Sequence, residues 1–124
     1  MLNGARVTTM LPVSDLARAR AFYSDKLGLE PAADNPGGLL YNTGAGSFLL
    51  YPSQFRANGE HTQAMFQIDD VEAEVGRMRG LGVVFEEYDM PGLKTENGVV
   101  RAGPHTNAWF KDSEGNLIGL QQNG

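Results

Sequence analysis

Apolar positions recur along the chain with two alternating periods. Leu16, Ala19, Phe22/Tyr23 and Leu27 fall at helical spacing after Ser14 and Asp15, and Val71, Val75 and Met78 do so after Asp69 and Asp70. Ser14 or Asp15 caps the first predicted helix, and Asp69 with Glu72 fits a capping box at the second. Gly28 and Gly82 stand where a helix needs a left-handed residue to stop. Strand candidates follow each helix: "GLEPAA", "GLLYNT" and "SFLLYP", then "VVFEEY", "NAWFKD" and "NLIGLQ". Turn-forming groups separate them at Asn35-Pro36-Gly37-Gly38, Gly44-Ala45-Gly46 and Asp112-Ser113-Glu114-Gly115. Residues 89–106, "DMPGLKTENGVVRAGPHT", interrupt this order, and so long a loop reads as a lid or binding loop.

The two halves repeat one grammar. Val13-Ser14-Asp15-Leu16 lies over Ile68-Asp69-Asp70-Val71, and the Leu27-Gly28 turn lies over Leu81-Gly82. Two copies of strand, helix and three strands point to a duplicated half-domain rather than a solenoid. The expected class is α+β: one domain over residues 1–124, made of two βαβββ modules at about 5–55 and 60–122.

Composition narrows the function classes. Ten basic against fifteen acidic residues give a net charge of −5 without a basic cluster, which argues against nucleic acid and anionic membrane as partners. A neutral or cationic small molecule fits that balance. The absence of cysteine excludes disulfides, thiol nucleophiles and thiolate metal sites, and with no signal-peptide pattern the chain reads as cytoplasmic. Neither a phosphate loop nor a nucleophile elbow is present.

"LPVSDLARARAFYSDKLGLEP", "FQIDDVEAEVGRMRGLGV" and "AWFKDSEGNLIGLQ" together resemble the vicinal oxygen chelate superfamily of glyoxalase, bleomycin-resistance and dioxygenase-like proteins. The resemblance implies a half-open mixed β-barrel around a central pocket, usually in a homodimer. It also implies metal ligands on the first and last strand of each module, at positions held here by Thr8, Leu50, Gln63 and Gly119. Divalent metals favour imidazole and carboxylate donors, so no cofactor is expected.

Other residues offer alternative chemistry. The ligand-contact candidates are Phe48, Leu50, Gln63, Tyr88, Asp89 and Trp109: rings to stack on, an amide to hydrogen-bond, and a carboxylate to attract a cation. The leading expectation is a metal-independent protein that binds a small organic ligand. The alternative is a lyase, isomerase or cyclase using His105, Glu86, Glu87 or His61 as acid and base. A third reading keeps a divalent metal on His61, Gln63, His105 and a nearby acid. Glyoxalase I activity is not expected, because the resemblance ties it to the missing metal ligands.

Overall fold

The computed structural model describes residues 2–55 and 60–123. The link between the modules, 56–59, lies outside the described residues, as do residues 1 and 124. The first module runs β1 (Thr9–Val13), α1 (Leu16–Leu27), β2 (Ala33–Asn35), β3 (Gly38–Thr43) and β4 (Gly46–Pro52). Its sheet has the order β1-β4-β3-β2, with β1 parallel to β4 and the hairpin pairs antiparallel.

The second module runs β5 (Thr62–Gln67), α2 (Val71–Gly80), a two-stranded hairpin of β6 (Asp89–Met90) and β7 (Leu93–Lys94), then β8 (Val99–Ala102), β9 (His105–Lys111) and β10 (Leu117–Asn123). Its main sheet repeats the pattern as β5-β10-β9-β8, with β5 parallel to β10. The chain is therefore α+β with two βαβββ modules, and the sheets stay separate rather than closing into a barrel.

Local chemistry explains the helix ends. Asp15 caps α1 by accepting from Arg18 N at 3.0 Å, and Asp70 rather than Asp69 caps α2 by accepting from Ala73 N at 3.1 Å. Gly28 closes α1 in the left-handed region at φ 70°.

Two stretches depart from expectation. "GLEPAA" contributes only Ala33 to β2, which runs on to Asn35. "VVFEEY" forms no strand; its backbone meets the sheet through a bridge from Phe85 to Phe110 and a bond from Glu86 N to Trp109 O at 2.8 Å. The edge position beside β9 goes instead to β8, which lies inside the segment read as a lid. Asn97 and Gly98 both have positive φ, 53° and 78°, and join Glu96 to Val99 as a two-residue hairpin turn. That turn brings Val99 back onto β9 and ends the competition for its edge.

Both helices and the inner faces of both sheets share one core, in which Leu11, Tyr41, Phe48 and Leu50 meet Val99, Ala108, Phe110 and Ile118. Aromatic rings carry the contact between modules: Phe22 stacks on Phe110 at 6.5 Å, and Phe48 meets Phe66 edge-on at 6.0 Å. A polar clasp adds to it. Glu114 from the β9–β10 turn is buried and accepts from Ser14 N, Asp15 N and the Arg18 guanidinium at 2.7–3.0 Å. Tyr23 donates to Asp112 at 2.7 Å, and Asn116 Nδ2 donates to Pro12 O at 3.0 Å. Because the helix-bearing faces meet, the opposite faces of both sheets point outward.

Candidate functional site

The outer face of the second sheet is set by strand alternation. Ile118 and Leu120 enter the core, so Gly119 between them faces out; Ala108 and Phe110 do the same on β9, so Asn107 and Trp109 face out. Register then builds rows across the strands. Met65, Gly119 and Trp109 form one row, and Gln67, Gln121 and Asn107 form the next. Gln67 Nε2 donates to Gln121 Oε1 at 2.9 Å.

Gly119 is a notch covered by its neighbours. A Cβ added there would stand 2.7 Å from Met65 Cε, 3.3 Å from Met65 Sδ and 3.2 Å from Trp109 Nε1. The thioether and the indole occupy the space that a carboxylate on this strand would need. Trp109 Nε1 donates to Thr62 Oγ1 at 3.1 Å, and Tyr88 meets the indole edge-on at 5.6 Å. Burial and the Glu86 charge raise the Tyr88 phenol above its usual range, so it stays protonated and can donate.

Gln63 stands at an irregularity. The register between β5 and β10 shifts there, with Leu117 opposite Thr62 and Ile118 opposite Ala64, so Gln63 is an extra residue in the ladder. Its Oε1 is buried without a hydrogen-bond partner among the described residues. Asn107 Oδ1 and His105 Nδ1, on β9, are in the same condition. Asn107 was not a sequence candidate, although its position two residues before Trp109 carried the signal.

The remaining candidates scatter. His105 opens β9 on the same face as Trp109, whereas His61 is exposed just before β5. Glu86 pairs with Lys111 at 3.8 Å. Glu87 holds the 95–98 turn by accepting from Thr95 Oγ1 at 2.6 Å and Gly98 N at 2.8 Å, and those bonds keep its carboxyl below the usual range. Asp89 is exposed on the β6–β7 hairpin, next to Tyr88 in sequence.

Two candidates lie elsewhere. Phe48 and Leu50 are 4% and 0% exposed and belong to the core, because they share a face with Leu11 and Val13. The outward positions on β4 are Leu49 and Tyr51, so the ligand position assigned to Leu50 was one residue out of phase. Thr8, half-buried just before β1, alternates onto the outer side with Met10 and Pro12.

A divalent metal does not fit this donor set. The four positions supply a hydroxyl at Thr8, an amide at Gln63, no donor at Leu49 and a covered glycine at Gly119. Among the described residues, no three His, Cys, Asp or Glu side chains converge on a point.

Comparison with known proteins agrees with the architecture. No curated protein matches the sequence. Among solved structures the chain is similar to TnmS3, an antibiotic binding protein from Streptomyces sp. CB03234, with 25% identity over 98% of each chain and a TM-score of 0.69. It is similar to a lactoylglutathione lyase from Agrobacterium tumefaciens, with 24% identity over 96% of this chain and 93% of that one and a TM-score of 0.70. The fosfomycin resistance protein FosX from Listeria monocytogenes shares 17% identity over 98% of this chain and 94% of its own, with a TM-score of 0.71. The last two likenesses concern the fold alone. A family profile matches residues 6–120, nearly the whole chain, and the chain accordingly belongs to the Glyoxalase/Bleomycin resistance protein/Dioxygenase superfamily.

Proposed function

We propose that this protein binds a small organic molecule, neutral or cationic, on the outer face of its second sheet and does so without a divalent metal. The observation that carries this is the covered notch at Gly119: Met65 and Trp109 fill the position where the fold family would carry a carboxylate, and they leave an indole, a thioether and a phenol as the surface. Such a surface stacks flat rings and attracts cations to its π faces. Asp89 beside Tyr88 and the net charge of −5 add to the preference for a cation over an anion. The antibiotic-binding relative supports the same class of role.

A homodimer completes the site in this proposal. The outer face of the first sheet carries Met10, 49% exposed, with Pro12, Leu40, Leu49 and Tyr51 half-buried beside it. Laid over the second sheet of another copy, that apolar face forms the other wall and encloses the ligand.

The acid–base alternative narrows. Glu87 is committed to a turn and Glu86 to Lys111, while His105 alone of the four combines an unpartnered nitrogen with a place on the same face as Trp109. A base there would work through His105 Nδ1.

The test is a thermal-shift screen of aromatic and cationic compounds on untagged protein, run beside elemental analysis and titrations with nickel, zinc, manganese and ferrous iron. The expected result is a dose-dependent stabilisation by organic compounds that Trp109→Ala or Asp89→Asn weakens, and none by metals. A stoichiometric metal with a stabilising shift would overturn the proposal.

A further inference from the structure

Trp109 and its neighbours explain why a ring would settle on the second sheet, but they leave the unpaired polar atoms there unexplained. Gln63 Oε1 and Asn107 Oδ1 are both shut off from solvent with no hydrogen-bond partner among the described residues. An acceptor left so in a folded protein is costly, and two on one face call for donors from outside the chain. The nearby amides are not seen to serve: Gln67 Nε2 donates to Gln121 Oε1, and among the described residues neither amide donates to Gln63 Oε1 or Asn107 Oδ1.

The placement of the two oxygens is specific. Asn107 lies on β9 two residues before Trp109, and Gln63 lies on β5 two residues before Met65. They therefore flank the row of Met65, Gly119 and Trp109 from opposite corners. Two strand spacings across and about four residue steps along put their Cα atoms roughly 15 Å apart. Side chains leaning inward shorten that span to the length of a two- or three-ring molecule. The register shift at Gln63 belongs to the same design, because a bulge re-aims the side chain it carries.

The face is poor in the opposite partner. Lys111, at its margin, is paired with Glu86, so among the described residues a carboxylate or phosphate on the ligand would find no unpaired cation on these strands.

We infer that the molecule held on this face is a fused-ring aromatic with hydrogen-bond donors, hydroxyl or amino groups, at opposite ends: the ring lies over Trp109, one donor bonds Asn107 Oδ1 and the other bonds Gln63 Oε1. This rests on the proposed binding role of the face and names the chemical class it takes. His105 Nδ1, two residues beyond Asn107, marks where a third polar group on a longer ligand would be met.

The test uses the whole protein and matched naphthalene and anthracene pairs, each as the diol and as its dimethyl ether, with binding read by quenching of the single tryptophan. The diols are expected to bind about tenfold tighter or more than their ethers, as one or two buried hydrogen bonds require. Asn107→Leu and Gln63→Leu should each shrink that ratio toward one, while Trp109→Ala, followed by calorimetry because it removes the fluorophore, should weaken diol and ether alike. In the free protein the two leucine variants should also raise the Tm, since each deletes an unpaired buried acceptor. Equal binding of diol and ether, or a leucine variant that lowers the Tm while leaving the ratio intact, overturns the donor inference and leaves the binding role standing. No binding by any member of the panel, with wild-type fluorescence and Tm intact, overturns both.

Discussion

Gly119→Ala is the smallest change that tests whether the notch on the second sheet is filled as described. The new methyl would sit 2.7 Å from Met65 Cε, closer than real Cβ atoms approach a neighbour, and 3.3 Å from its Sδ, tighter than most such contacts. Met65 is 38% exposed and ends in a flexible thioether, so it can swing away, at the loss of its packing over the sheet. The indole is less free. Its Nε1 would be 3.2 Å from the methyl and is tied to Thr62 Oγ1 at 3.1 Å, so moving it strains or breaks that bond. Overpacking of this kind costs about 1–3 kcal/mol, and a lost hydrogen bond costs about 1 kcal/mol. Because Met65 gives way first, the expected total is about 1–2 kcal/mol, or a fall in Tm of about 4–8 °C.

The decisive assay is a double-mutant cycle with Met65→Ala, read by urea unfolding of the wild type, both single variants and the pair. Removing the thioether takes away the contacts at 2.7 and 3.3 Å and leaves the indole contact at 3.2 Å, so Gly119→Ala should cost less in the Met65→Ala background. A coupling energy of about 1 kcal/mol or more is expected, and sites that do not touch would add within about 0.3–0.5 kcal/mol. Tryptophan emission supplies a second reading, because Trp109 is the single tryptophan and its shift reports the indole directly. If Gly119→Ala leaves both stability and emission unchanged and the cycle is additive, Met65 does not cover the glycine, and the argument that the metal position is filled collapses.

Two further predictions follow from features away from that face. Burial raises the Glu114 carboxyl, but the Arg18 hydrogen bond and the Asp15, Ser113 and Ser14 donors outweigh it and bring the pKa to about 2, from 4.5. A depressed folded pKa gives stability that is fully present above about pH 4.5 and is lost as pH falls through about 2, worth on the order of 3 kcal/mol. Glu114→Gln should therefore destabilise the protein at pH 7 and flatten its pH dependence between those values; equal slopes for variant and wild type in acid urea titrations would refute the clasp. Gly98→Ala combines φ 78° with a Cβ only 2.8 Å from Phe85 Cβ, whereas Gly92→Ala has φ 81° and open space. The first should cost at least about 1 kcal/mol more than the second, and equal losses of Tm would show that Phe85 does not pack against the turn.

Most of the architecture was legible because its signals are local. Asp15 and Gly28 mark a helix whatever it packs on, and the helical spacing of Val71, Val75 and Met78 needs no partner to be read. The third sheet position of the second module was not legible in the same way. Val83 to Tyr88 alternates as a strand should, yet β9 has one free edge there and the Asn97-Gly98 turn delivers Val99 to it. Intrinsic preference is weak beside such competition for an edge, and the Asn-Gly pair was the stronger hairpin signal in that stretch. The Glu114 clasp was invisible for a related reason: its partners, Ser14 and Arg18, lie almost a hundred residues away, and only the docking of the modules brings them together.

The site was half legible, and the line between the halves is strand parity. Gly119 and Gln63 could be counted off from firm anchors beside their strands, the α2 cap after β5 and the last turn before β10, whereas alternation left open which of Trp109 and Phe110 faces out until the register decided it. β4 follows a glycine-rich Gly44-Ala45-Gly46 turn that fixes no parity, and there Leu49, Leu50 and Tyr51 are alike enough in polarity that alternation carries no signal. A slip of one residue then sends Leu50 to the pocket when it belongs to the core. The slip does not restore a metal site, since neither Leu49 nor Tyr51 supplies a carboxylate or an imidazole. What alternation along single strands leaves out is the relation between them: Asn107 becomes a binding candidate only when register sets it beside Gln121 and one row from Trp109, with its oxygen unpaired. The proposed ligand class therefore rests on the face rather than on a motif: a stacked ring with donors at its ends is what Trp109, Asn107 and Gln63 together would accommodate.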